Sequence, residues 1–259
     1  MDWSPGYREY PPPGALRPAV SCLWVRVVPP GGAPPTLVLP DACADLIWQS
    51  GRGVFVAGPD TGPAPSSLAP GTILAGLRLW PGTGGPALGI PLSALLDQRV
   101  DAADLCADRA AGPAAGLVRE LPGSMTPDEA MVGLVRIACR MLGAGPPDPL
   151  VVETARRLGS PQVRVESIAW DLGVSERQLR RRCRAAAGYG PATLRRVLRF
   201  RRFVSSIDAD SAAGKSADLA QLATETGYAD QAHLTRDCTR LAGLPPAGLA
   251  RVRHLGSAG

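Results

Sequence analysis

Seven side chains stand out for the chemistry they offer. Arg177, Arg180, Arg181 and Arg184 fall at helical spacing within SERQLRRRCRAAAG, and Gln231, Thr235 and Arg236 do so within DQAHLTRDCTRLAG. A guanidinium is a planar fork of donors that matches the N7/O6 edge of guanine or a phosphate. Such groups read anything only if held together on one face. Leu179, Cys183 and Ala186 recur on the opposite side of the first segment, with Arg180 at the flank of its polar side. Leu234, Cys238 and Leu241 do the same in the second, leaving Ala232, Thr235, Arg236 and Thr239 outward. Each segment is therefore expected to be an amphipathic helix with its polar face free.

The elements that position these helices are written twice, as IAWDLGVSERQLRRRCRAAAG and QLATETGYADQAHLTRDCTRLAG, 54 residues apart. In each copy an alanine stands four residues before a glycine, Ala169 and Gly173, then Ala223 and Gly227. Two helices crossing steeply within a short turn need a small contact residue and one that tolerates positive φ. Ser175 with Gln178 makes a capping box, and Asp230 takes the cap position of the second copy. The pattern is a helix-turn-helix, present twice. The second helix of that motif lies in the DNA major groove. Between the copies, PATLRRVLRFRRFVSSI gives Leu194, Val197, Leu198, Phe200 and Val204 as an apolar face, with Arg195, Arg196, Arg199, Arg201 and Arg202 over the remainder. About twenty helical residues span roughly 30 Å, close to one turn of DNA, so one rigid helix can hold two heads in successive grooves. Charge follows the same division. Residues 160–259 carry sixteen basic against nine acidic side chains, and residues 1–159 twelve against fourteen, within a chain of formal charge +5.

The strings IAWDLGVSERQLRRRCRAAAGYGPATLRRVLRFRRF and DLAQLATETGYADQAHLTRDCTRLAGLPPAGLAR resemble the DNA-binding domain of AraC/XylS transcriptional regulators over the last hundred residues. The second unit's Gly227, Tyr228, Asp230, Gln231, Gly243 and Pro246 follow the family pattern, whereas Cys183, Leu234 and Cys238 stand where the family often has aromatic residues. Carried over by position, the resemblance implies base or phosphate contacts by Arg177, Arg180 and Arg181 in the first head and by Gln231, Thr235 and Arg236 in the second. It implies double-stranded DNA and RNA polymerase as partners.

The first hundred residues are of another kind. Seventeen of the 27 prolines fall there, which excludes long helices and favours short strands. SCLWVRVV, PTLVLP, ADLIWQS, GVFVAG and GTILAGLRLW are the expected strands. Their length and spacing suggest a small β-barrel or sandwich, cupin-like by analogy with the family, so the chain is expected to be α+β with an all-α C-terminal domain. LPDACADLIW, FVAGPDT and LAGLRLWPGTGGPALGIPLSALLDQRV resemble an N-terminal domain fused to such DNA-binding domains in regulators of high-GC bacteria. Trp24, Asp45, Trp48, Arg78 and Trp80 read either as a ligand pocket or as ordinary core with surface charges. Turns at residues 58–61 and 81–85 are further candidates for the lining of a site.

SMTPDEAMVGLVRIACRMLG follows as a helix with Thr126 as cap, Pro127 first and Glu129 closing the box, ending before Gly143. Its stripe of Met131, Leu134, Val135, Ala138 and Leu142 faces either the N-terminal domain or a second protomer, which would make the chain a homodimer. The expected division is a β-rich sensing or oligomerisation domain at 1–100, a helical connector at 101–147, and a DNA-binding domain at 148–259.

Other chemistry has little to build on. The six cysteines contain no C-x-x-C pair, so no metal site is expected. No phosphate loop, carboxylate pair or nucleophile with its base points to catalysis, and no cofactor is implied. The N-terminus reads as neither a signal nor a transit peptide and no apolar run is long enough for a bilayer, so a cytoplasmic protein with no membrane partner is expected. The function expected is a transcription regulator controlled by a small-molecule effector in its N-terminal domain. Two alternatives stand beside it: redox or electrophile sensing through Cys22, Cys43, Cys106 or Cys139, and an adaptor controlled by a macromolecular partner.

Overall fold

Frequent prolines cut the N-terminal region into short extended runs. In the computed structural model, which describes residues 1–107, 121–161, 163–215 and 217–256, eight of these runs are strands. They are β1 (Gly6–Tyr10), β2 (Val20–Val27), β3 (Thr36–Val38), β4 (Ala44–Gln49), β5 (Gly53–Ala57), β6 (Ala64–Ser66), β7 (Ile73–Leu79) and β8 (Arg99–Asp101). All five expected strands are present. The three unexpected ones are short or lie at edges, where pairing asks little of composition: β6 is Ala-Pro-Ser, and proline is tolerated at an edge.

Six strands form one antiparallel sheet in the order β1-β2-β7-β4-β5-β8, and β3 pairs with β6 apart from it. The sheet is open, with β1 and β8 as its edges. The expected cupin-like barrel does not form, because closure requires the edge strands to meet and here a helix covers the face a barrel would turn inward. Alternation is clean. Leu23 and Val25, Leu46 and Trp48, Val54 and Val56, and Ala75 and Leu77 point into the main N-terminal core, while Cys22, Trp24, Ile47, Phe55 and Leu74 form a second cluster on the other face.

After α1 (Gly84–Leu88), a 3-10 turn (Leu92–Leu95) and α2 (Ala102–Ala107) comes α3 (Pro127–Ala144). Of the expected connector, residues 108–120 lie outside the described residues. The Thr126/Glu129 capping box is formed, and the helix runs through Gly143. Met131, Leu134 and Ala138 are buried against the sheet together with Ala130, Ile137 and Met141, and Val135 and Leu142 pack at the margin. The stripe is thereby covered within its own chain and is not left for a second protomer. Leu134→Glu would place an unpaired charge in this core, at a cost of several kcal/mol. A thermal melt with light scattering should find a molten N-terminal half, and a folded monomer would contradict this packing.

The C-terminal region is helical throughout: α4 (Pro149–Leu158), α5 (Val165–Asp171), α6 (Glu176–Ala187), α7 (Pro191–Ala212), α8 (Leu219–Glu225), α9 (Gln231–Ala242) and α10 (Pro246–Gly256). Its core joins Leu179, Cys183 and Ala186 of α6 with Leu234, Cys238 and Leu241 of α9 around Leu194, Val197, Phe200 and Phe203 of α7. Cysteine and leucine fill the inner positions without aromatic residues. Among the described residues no helix is long and apolar enough to cross a membrane.

Candidate nucleic-acid interface

The two copies of the repeat fold alike. Gly173 and Gly227 make the turns with φ of +63° and +87°, and Gly188 and Gly243 stop the second helices with φ of +83° and +69°. Ala169 and Ala223 are buried where the helices meet. Ser175 accepts from the Gln178 backbone N–H at 3.2 Å while the Gln178 side chain accepts from that of Ser175 at 3.0 Å, and Asp230 accepts from the His233 N–H at 2.6 Å. α6 and α9, the second helices of the two units, are thus sharply started and of twelve residues each.

Arg177, Arg180, Arg181 and Arg184 are exposed on α6, and none forms an ion pair among the described residues. Arg182, between them, turns away and grips Asp148 through Nε at 2.8 Å and Nη2 at 2.5 Å. Asp148 caps α4 in turn, accepting from the N–H groups of Leu150 and Val151. The four free arginines share a cleft of about 460 Å³ with Gln178, Ala185, Pro91 and Ser93. On α9, Gln231 and Arg236 are exposed and Thr235 is half-buried. The Thr235 hydroxyl donates to the Gln231 carbonyl at 2.8 Å.

Behind α9 stands a polar cluster hidden by the sequence. Arg199 of α7 is buried, donates to Asp237 at 2.6 Å and lies 2.9 Å from His233 Nε2, with its guanidinium 4.3 Å from the centre of the Tyr228 ring. Burial, reinforced by Arg199, lowers the His233 pKa, which favours a neutral ring whose Nε2 accepts. Arg196 also reaches Asp237, at 3.5 Å. Arg202 is half-buried with backbone carbonyls as acceptors, and Arg201 lies over Trp80, 5.4 Å from the ring centre. The expectation that these arginines simply cover the outside of α7 is therefore corrected for Arg199, Arg201 and Arg202. A signal was available: Asp237 falls in register with the inner positions Leu234 and Leu241, where a carboxylate needs a buried partner.

The N-terminal ligand candidates do not come together. Trp24, Asp45 and Arg78 share the outer face of the sheet. There Trp24 lies across Gly76, whose added Cβ would stand 2.1 Å from the indole, and Arg78 is held by Asp45 and Asp41 at 3.2 Å and by Glu9 at 3.2 Å. Burial raises the Asp45 carboxyl to about 6 in spite of Arg78. Trp48 points to the opposite face, into the core, and donates to the Pro122 carbonyl at 3.0 Å, while Trp80 sits against Arg201. Trp48 and Trp80 thus leave the candidate set, because strand alternation and position at the strand end separate them from it.

Among the cysteines, burial pushes the Cys22 thiol up to about 12 and that of Cys43 well above its usual value. Cys139 is exposed. The side chain of Cys106 lies outside the described residues. Raised thiol pKa values suppress the thiolate on which oxidation depends.

The turns at 58–61 and 81–85 line the contact between the two halves of the molecule. The Tyr189 hydroxyl donates to the Asp60 carbonyl, and Gly188 faces the Pro59 ring, 2.7 Å from where a Cβ would stand. Gly82 meets the start of α4, and a Cβ on Gly85 would lie 2.0 Å from the Ala185 carbonyl oxygen. α1 and the 92–95 turn both bear on α6, whereas α9 meets the N-terminal half towards its C-terminal end, with Gly62 facing the Arg240 carbonyl and Pro63 beside Gly243.

These features define a double helix-turn-helix, a DNA-binding architecture. Residues 168–251 match the model of a family described as a helix-turn-helix domain, and residues 8–101 match one described as a domain of unknown function, DUF6597. The chain carries an AraC-type helix-turn-helix domain at its C-terminus behind this N-terminal domain. Similar solved structures include ToxT from Vibrio cholerae O395, at 10% identity over 88% of this chain and 95% of that chain, with a TM-score of 0.45. A ToxT from the same organism bound to (E)-4-(8-methylnaphthalen-1-yl)but-3-enoic acid is 8% identical over 89% of this chain and 99% of that chain, with a TM-score of 0.46. No curated protein matches the chain in sequence.

Proposed function

We propose that the chain is a sequence-specific transcription regulator whose α6 and α9 enter successive major grooves on one side of a duplex. One observation carries this reading: Arg177, Arg180, Arg181 and Arg184 project together from one capped helix into a single cleft, and among the described residues none of them has an ion-pair partner. α7, at 22 residues, is about 33 Å long, which suits heads one DNA turn apart. Arg181→Ala and Arg236→Ala should each weaken operator binding by about 1–3 kcal/mol and relax sequence preference in different half-sites. Gel-shift titration beside a thermal melt checks this, and unchanged affinity in both variants would sink the docking.

The division at 1–100, 101–147 and 148–259 belongs to this reading, as does RNA polymerase, the partner implied by the AraC resemblance. The N-terminal domain is proposed to act through its contact with α6. Pro91 and Ser93 stand on the rim of the cleft that holds the four reading arginines, and a duplex with a major groove about 12 Å wide has to straddle the helix there. An effector that shifts α1 or the 92–95 turn would therefore change access to the first head before the second. The outer-face group of Trp24, Asp45 and Arg78 is the remaining candidate for a small-molecule site. Sensing through Cys22 or Cys43 is disfavoured by their raised thiol pKa values.

A further inference from the structure

A helix between two heads fixes their distance, but their mutual rotation needs a second tie. Arg202, on α7, supplies one. Its Nη1 donates to the carbonyls of Leu158, at 3.3 Å, and of Gly159, at the C-terminal end of α4. Its Nη2 donates to the Thr226 carbonyl at 3.1 Å, at the C-terminal end of α8. Carbonyls at helix ends carry partial negative charge, so one guanidinium bridges α4, which packs on α5 and α6 of the first unit, to the second unit with no carboxylate partner among the described residues. A second contact lies on the same seam: Gly227, in the turn of the second unit, approaches Pro161 so closely that a Cβ would stand 2.9 Å from the proline Cβ. Each unit is attached to α7 independently of this seam, the first through Leu179 and Cys183, the second through Arg199 and Asp237.

We infer that Arg202 is a positioning residue that sets the rotation between α6 and α9, and with it the spacing of the two base sequences this chain accepts. The inference rests on the DNA-reading function proposed above. The probe is a bipartite duplex selected from a random library by the wild-type full chain, together with versions carrying one base pair more or fewer between the halves. One base pair turns a half-site by roughly 35°. Wild type should lose about tenfold or more in affinity on either change, whereas Arg202→Gln and Arg202→Met should lose under about threefold and keep their affinity for the second half-site alone within about twofold.

Full retention of the wild-type spacing penalty in both variants overturns the inference. So does a variant that fails to fold in a thermal melt, since that would make Arg202 a part of the core and not of the spacing. A wild-type chain that selects no bipartite duplex overturns the DNA-reading beneath it, a result distinct from either, because it is seen before any variant is made.

Discussion

Asp237→Ala is expected to unfold the second reading unit. Asp237 is the buried partner of Arg199, and removing it leaves a guanidinium enclosed by Tyr228, His233 and the body of α7. Breaking a buried pair from one side costs about 3–5 kcal/mol, because the remaining charge has lost both water and partner. That is a large share of the roughly 5–15 kcal/mol that holds an ordinary domain together. A thermal melt should show the loss, and binding to the second half-site should fall with it while contacts by α6 persist. Replacing both partners by apolar residues, Arg199→Met with Asp237→Leu, should recover much of the stability. A single variant as stable as wild type would mean that His233 and solvent satisfy Arg199 fully, against the buried geometry.

The second large effect comes from one methyl group. Gly85 lies within α1, its backbone is not strained, and alanine improves helix propensity there by roughly 0.5–1 kcal/mol. Its Cβ would nevertheless stand 2.0 Å from the Ala185 carbonyl oxygen and 3.0 Å from the Ala186 Cα, both backbone atoms of α6. α1 and α6 must therefore move apart at this contact. Gly85→Ala should accordingly raise affinity for a bipartite operator by about tenfold, with no change on the second half-site alone. Ser93→Arg, which sets a like charge beside Arg181 and Arg184 in the cleft, should act in the same direction by a separate cause. Unchanged or lower affinity in both variants would mean that the N-terminal domain does not restrain the first head.

The helical half was legible in detail because its governing constraints are local. Ser175, Asp230, Gly173 and Gly227 set helix starts and turns through contacts within a few residues, and they stand where their types require. That Asp237 needs a buried partner was readable from its register, but its pairing with Arg199 and the bridging by Arg202 were not, since they join residues 24 to 44 positions apart. A basic side chain on α7 looks the same in sequence whether it meets water or a partner. In the N-terminal half, strand positions followed from β-branched and apolar runs between prolines. Closure did not, because whether β1 meets β8 depends on where α3 packs. The same gap separated Trp48 from Trp24: alternation was readable, but which face would be covered by a helix was not.

The contact between the halves is made in good part by backbone. Gly85 rests on the Ala185 carbonyl, Gly188 on Pro59, and the Tyr189 hydroxyl on the Asp60 carbonyl. None of these depends on what projects from the outer face of α6. On the proposed function, substitutions at Arg177, Arg180, Arg181 or Arg184 would therefore redirect the chain to a different operator while the N-terminal domain kept its hold on the helix. In a lineage of duplicated regulators, the sequence that is read can diverge without rebuilding the device that controls the reading.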